Sequence, residues 1–287
     1  MNKRISLPPS STATSVDLST TKLCCKHMER IAMMNNLTIE KLHQLRLPGM
    51  AAEFERQITT PTASDLPFEQ RMRSIVDHEI TVRKSRKLQM LLRRASLPLN
   101  ASLEDVDYRT PRGLDKSLFL SLGSLDWIRN RHNVVITGPT GTGKSWLACA
   151  LAHQACRDGL ASYFIRVTAL VDSMVTARAT GSFGNRLEGL NKYDLLVIDD
   201  WGIDAFNKRA QNDLLELIVK RLDNRSILFT SQFPMSSWHA AFNDKTIADA
   251  TMDRVVHSSY VLELNGDSMR SANAPVSKRS GKKTEKQ

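Results

Sequence analysis

Apolar positions change their period near residue 130. From about Leu37 to Trp127 they recur every three to four positions. The pattern runs through IEKLHQL, then GMAAEFERQI, then a long segment from Phe68 to Ala95 carrying Ile75, Val76, Ile80, Leu88, Leu91 and Leu92. A period near 3.6 predicts helices, so residues 35–127 are expected to form a small all-helical domain. From Asn133 onward, short runs rich in β-branched residues alternate with segments long enough for crossover helices. The runs are NVVIT, SYFIRV, DLLVID, SILFTS and SYVLEL. This alternation predicts an α/β core over residues 128–270, built on a parallel five-stranded sheet covered by helices. Residues 1–34 and 271–287 lack such periodicity, and both are expected to be disordered, the second as a basic tail.

Composition narrows the class. With 41% hydrophobic and 24% charged residues, the 287-residue chain excludes wholesale disorder and low-complexity structure. No run approaches the roughly 18 apolar residues that span a bilayer, and the N-terminus lacks the apolar stretch of a signal peptide. No membrane partner and a cytoplasmic location are therefore expected. Cys24, Cys25, Cys149 and Cys156 show no metal-ligand spacing and read as reduced thiols.

The formal charge of +10 is unevenly spread. Residues 1–132 carry 21 Lys/Arg against 14 Asp/Glu, residues 133–266 carry 13 against 14, and the tail carries 6 against 2. A neutral core between cationic flanks is the footprint expected of a nucleic-acid-binding protein, although a solubilising surface has the same arithmetic. The flank is most concentrated in TVRKSRKLQMLLRR, Thr81 to Arg94, with six basic residues and no acid. On a helix, Arg83, Lys87 and Arg94 recur at spacings of four and seven, while Arg86 and Arg93 form a neighbouring row and Lys84 lies beside them. Such a face suits the phosphate backbone of duplex DNA with little base specificity; the alternative is a solvated face paired with acids. Trp127 and Trp146 read as packing residues.

The chemistry is most legible in Gly138-Pro139-Thr140-Gly141-Thr142-Gly143-Lys144-Ser145, between the run NVVIT and the Ala-rich segment WLACALAHQA. The pattern G-x-x-x-x-G-K-[ST] in a strand-loop-helix context predicts a phosphate-binding loop for ATP. Its backbone N–H groups would converge on phosphate oxygens at a helix N-terminus. Lys144 would reach the β- and γ-phosphates, and the Ser145 hydroxyl would ligate Mg²⁺. An apolar strand ending in Asp199 and Asp200 lies 55 residues beyond Lys144. Adjacent carboxylates at a strand end favour a cation, so Asp199 is expected in the Mg²⁺ shell and Asp200 at the attacking water. A further strand ends in Thr230, Ser231 and Gln232, any of which could sense a γ-phosphate at the crevice of a parallel sheet. Arg254 could donate charge to a neighbouring subunit's nucleotide, or could be a surface residue paired with Asp249 or Asp253.

In this order the motifs resemble those of the AAA+ P-loop NTPases, and closely the branch holding the IstB helper ATPases of insertion sequences and the DnaC-type helicase loaders. LRLPGM, DYRTPRGLDKSLFLSL, DWIRNRHNVVITGPTGTGKSWLA, LLVIDDWG, SILFTSQFP and IADATMDRVVHSSYVLELNGDSMR carry the resemblance, over about residues 35–270. It implies Lys144 and Ser145 as the Walker A pair and Asp199 and Asp200 as the Walker B acids. Ser231 or Gln232 would stand at the sensor I position, and Arg254 would be the arginine finger. About two dozen residues follow the last strand, too few for a full helical lid; Arg270 is the one candidate for a lid-type sensor. The implied function is an ATPase that forms homo-oligomers on duplex DNA and assists a cognate transposase. A replicative helicase loader is the alternative.

Overall fold

The computed structural model describes Arg30 and residues 33–202, 206–222, 224–242 and 244–269. Most of the expected N-terminal extension, with Cys24 and Cys25, lies outside the described residues, as do Arg270 and the tail. Arg30 is helical, and helix α1 occupies described residues 33–44. The chain divides into two compact units between Ser85 and Arg86.

The first unit is organised by two buried carboxylates. Helix α2 (Pro48–Thr59) begins with proline, whose fixed φ and missing N–H suit a first turn. Its next two amides, Gly49 and Met50, donate to Glu79 Oε2 at 2.7 and 3.0 Å. Glu79 comes from helix α3 (Phe68–Ala95), so an anion on one helix satisfies the positive end of another. Glu53 of α2 is also buried, and it accepts from Arg56, Gln57 and Ser74. The Arg56 guanidinium, together with Gln57 and Ser74, outweighs burial and holds the Glu53 carboxyl at about 2.

α3 continues into the second unit, where Leu91 and Ala95 bury against Cys156. This packing explains why the compact division falls inside α3, whereas the sequence period changes some forty residues later. Helices α4 (Lys116–Gly123) and α5 (Asp126–Arg129) follow, α4 capped by the Asp115 carboxylate on the Leu118 amide. The expected sheet is present. Strands β1 (Asn133–Thr137), β2 (Ser162–Arg166), β3 (Leu195–Asp199), β4 (Ser226–Ser231) and β5 (Ser259–Glu263) pair in parallel in the order β2-β3-β4-β1-β5.

Each connection crosses on helices: α6 (Lys144–Arg157), α7 (Val167–Ala179) with α8 (Phe183–Asn191), α9 (Lys208–Arg221) and α10 (Lys245–His257). Alternation along the strands sends side chains to two cores, one per face. Val134, Ile136, Leu195, Val197 and Leu228 join the core of α4–α6, while Val135, Leu196, Ile198, Ile227 and Phe229 join that of α7–α10. Burial on both faces is why these strands read as continuous apolar runs. Trp127 is buried with its indole N–H on the Leu122 carbonyl, and Trp146 packs against the α4–α6 core. Cys149 and Cys156 are free and buried, and burial pushes the Cys149 thiol up to about 12. No helix among the described residues is long and apolar enough to cross a membrane.

Candidate nucleotide site

The sheet order places the C-terminal end of β4 between those of β1 and β3. The loop after β1, the acids after β3 and the polar end of β4 therefore share one edge, the position at which parallel sheets open a ligand crevice. Gly138, Gly141 and Gly143 have φ of 141°, 88° and 93°. Gly143 is the N-cap of α6, so the loop turns directly into a helix whose first residue is Lys144. Lys144 is buried, 7% exposed, and its ammonium donates to the loop's own Gly138 and Pro139 carbonyls at 2.7 and 2.8 Å.

Ser145 and Thr230 converge on one oxygen of the buried Asp199. Ser145 Oγ donates to Asp199 Oδ1 at 2.7 Å and Thr230 Oγ1 donates to the same atom at 2.5 Å. Thr230 Oγ1 also accepts the Asp200 amide at 3.1 Å, and the Thr230 carbonyl accepts the Trp201 amide. Asp200 is held at φ 62°, a left-handed conformation that is costly for an L-residue and is held here by those two flanking bonds.

The other residues at the end of β4 divide their work. Ser231 Oγ donates to the Trp201 carbonyl and accepts the Phe233 amide, bracing the turns after β3 and β4. Gln232 reaches the loop, its Oε1 accepting from Thr140 Oγ1 at 2.8 Å. Arg254 is not brought to this cluster. It is exposed near the end of α10 and donates to the Ala250 carbonyl one turn back, while Asp249 and Asp253 meet His239 and His257. The alternative considered for it, a surface pairing with either acid, is absent among the described residues.

The six basic residues between Thr81 and Arg94 are all exposed: Arg83 and Lys84 in the first unit, Arg86, Lys87, Arg93 and Arg94 in the second. Among the described residues only Arg83 of the six forms an ion pair, with Glu79. Beside them Leu91 is buried and Leu88 and Leu92 are half-buried, while Met90 is exposed. Sequence reasoning did not single out Arg112, Ser268 or Met269, yet all three touch the loop. The Arg112 guanidinium bonds the Thr142 carbonyl, and the Met269 amide bonds the Gly141 carbonyl. A Cβ on Gly141 would lie 2.0 Å from Ser268 Oγ. No spacing rule marks these residues, since fold alone returns the segment after β5 to the loop.

The donor set fits a small hard cation. Ser145 Oγ and Asp199 Oδ1 are neutral and anionic oxygens already 2.7 Å apart, and Mg²⁺ typically takes one or two such groups and completes its shell with phosphates and water. Among the described residues no group of three or more His, Cys, Asp or Glu could hold a metal by itself.

A glycine loop between strand and helix, a buried acid on the second strand over and five parallel strands in this order form a P-loop fold of the AAA+ type. Among solved structures, the crystal structure of DnaI matches with a TM-score of 0.51 and 21% identity, over 57% of this chain and 91% of that one. The AMPPCP-bound DnaA of Aquifex aeolicus matches with a TM-score of 0.50 and 18% identity, over 61% and 53% respectively; these likenesses concern the fold. Residues 40–277 match the family described as IstB-like ATP binding protein, and the chain belongs to that family. The insertion sequence IS1162 ATP-binding protein of Pseudomonas fluorescens is 46% identical over 206 residues, 71% of this chain and 89% of that protein. The insertion sequence ATP-binding protein y4pL of Sinorhizobium fredii is 41% identical over 238 residues, 83% of this chain and 97% of that protein. The resemblance read from the motifs is thereby borne out.

Proposed function

We propose that this protein is an ATP-hydrolysing helper of an insertion sequence, which binds Mg·ATP at the loop after β1, assembles with copies of itself on duplex DNA and assists a transposase. The observation carrying this reading is the convergence of Ser145 and Thr230 on Asp199 Oδ1, beside a loop whose lysine is turned onto its own carbonyls. The names of the two relatives support the insertion-sequence context.

Each residue then has a distinct task. Lys144 exchanges its two loop carbonyls for phosphate oxygens, so that its charge meets anionic rather than neutral acceptors. Ser145 and Asp199 hold the cation, and Thr230 keeps the Asp199 carboxylate aimed at it. When bound, Mg²⁺ neutralises charge on the transferring phosphoryl group. Asp200 orients the attacking water from its strained turn, and Gln232, already on Thr140, contacts the γ-phosphate; Ser231 braces the turn beside it. Gly138 to Gly143, including Pro139, Thr140, Gly141 and Thr142, line the phosphates. Arg254 is exposed enough to serve the nucleotide of a neighbouring copy. Exposed Arg83 and Lys84 in the first unit, and exposed Arg86, Lys87, Arg93 and Arg94 in the second, bind the DNA backbone.

Phosphate release measured with and without duplex DNA tests the reading. Wild type should hydrolyse ATP, Lys144→Ala should lose both nucleotide binding and DNA-dependent assembly, and Arg254→Ala should keep binding by the monomer while losing hydrolysis. Assembly on DNA undiminished in Lys144→Ala would contradict it, and a fully active Arg254→Ala would dismiss the finger.

A further inference from the structure

Arg112 is among the most deeply buried charges in the second unit, at 2% exposure, and nothing in the proposed chemistry uses it. It stands on the turn of DYRTPRGL between the 3-10 turn Leu103–Asp105 and α4. That turn is set by Asp107, whose carboxylate accepts from the Arg109 amide and the Thr110 hydroxyl. The Arg112 side chain then joins three segments. Nη1 donates to the Thr142 carbonyl of the phosphate loop at 3.0 Å and meets Met269 Sδ at 3.0 Å, and Nη2 donates to the Asp107 carbonyl at 3.0 Å. The Arg112 main chain is tied to the same region after β5, its carbonyl accepting the Asn265 amide at 2.9 Å.

The partners are as informative as the position. Arg112 reaches the carbonyl of Asp107 rather than its carboxylate, which the turn already occupies. Its Nε is buried with no hydrogen-bond partner among the described residues. A buried cation held by neutral acceptors with a donor left over is expensive unless an anion compensates it. Burial accordingly pushes the guanidinium below its ordinary value, with Asp107 opposing only in part. The loop has made room for this group. A Cβ on Gly143, which has φ 93°, would lie 2.6 Å from Arg112 Nη1, so glycine there serves the approach of arginine as well as the left-handed turn.

We propose that Arg112 is a positioning residue for polyphosphate, holding the loop at Thr142 and supplying a second buried positive charge beside it that a bound nucleotide's phosphates complete. The inference rests on the reading of the loop as a nucleotide site. It adds that affinity for each successive phosphate depends on a residue outside the loop motif, and that occupancy is relayed through Arg112 to the segment after β5.

Binding of fluorescently tagged ATP, ADP and AMP to the full chain tests it, with wild type, Arg112→Gln and Arg112→Lys compared. Arg112→Gln should weaken ATP by about tenfold or more, as expected for losing one charge that acts through an effective dielectric of about 20. ADP should be weakened less and AMP least, and Arg112→Lys, which keeps the charge, should recover most of the ATP-over-AMP preference. A purely structural arginine would weaken all three nucleotides by one common factor; that result, or no change, overturns the proposal. Should Arg112→Gln fail to fold, loss of the ATP preference in Arg112→Lys overturns it and retention supports it. A wild type that does not prefer ATP to AMP strikes down the nucleotide-site reading itself and the role of Arg112 with it. An intact wild-type preference with an indifferent Arg112→Gln defeats only the inference.

Discussion

Replacing Thr230 by valine keeps the shape of a fully buried β4 side chain and removes its hydroxyl. Two bonds go with it: the 2.5 Å donation to Asp199 Oδ1 and the 3.1 Å acceptance of the Asp200 amide. A hydrogen bond to a charged group contributes about 1.5–3 kcal/mol and a neutral one about 1 kcal/mol, so the loss should be about 2–4 kcal/mol. Thr230→Ser keeps the hydroxyl and gives up one methyl group, a cost of about 1 kcal/mol. The expected order of stability is therefore wild type, then Ser, then Val. With a urea dependence of about 2 kcal/mol per M, the valine midpoint should fall by about 1–2 M. Tryptophan fluorescence in urea without nucleotide reads this directly, because Trp201 follows Asp200 and its amide is bonded to the Thr230 carbonyl. Valine as stable as serine, or more so, would refute the reasoning that the hydroxyl organises the acid pair.

Acid should weaken the first unit through Glu53. Its folded value of about 2 lies below the ordinary 4.5, so the stabilisation is fully present above about pH 4.5 and fades as pH falls toward 2. Circular dichroism melts between pH 2 and 6 should show a shallower pH dependence in Glu53→Gln; an unchanged slope would count against the network around Arg56. Gly49→Ala should destabilise the same unit by about 2 kcal/mol or more, because the new Cβ would lie 2.8 Å from both Glu79 Cα and Glu79 Oε2. Gly184→Ala in α8, where nothing lies within 4 Å, should melt no lower than wild type; equal effects at the two sites would refute the close-approach explanation.

What a sequence reveals of a fold and a site depends on whether a residue's role is local. All five strands were legible because burial on both sheet faces makes them short apolar runs bounded by polar residues. The loop was legible because its glycines, Lys144 and Ser145 keep a fixed spacing between a strand and a helix, and Asp199 because its strand ends there. The division of α3 was not legible, since Leu91 and Ala95 bury against Cys156, a contact between segments some sixty residues apart. Nothing in the sequence marks Glu53 and Glu79 as buried, because burial of an acid depends on donors supplied from elsewhere in the chain. Arg112 was hidden for the same reason: its three partners come from positions 107, 142 and 269, and no periodicity links them. Thr230, Ser231 and Gln232 were recognised as a polar strand end, but assigning each hydroxyl or amide required knowing which strands flank β4.

The central claim is that Lys144, Ser145 and Asp199 serve one triphosphate. Calorimetric titration of Mg·ATP into wild type and Lys144→Ala measures it most directly. One nucleotide per wild-type chain, and none detectable in a Lys144→Ala protein that melts at the wild-type temperature, is the predicted result. Equal binding by both proteins, or no binding by wild type, would contradict it.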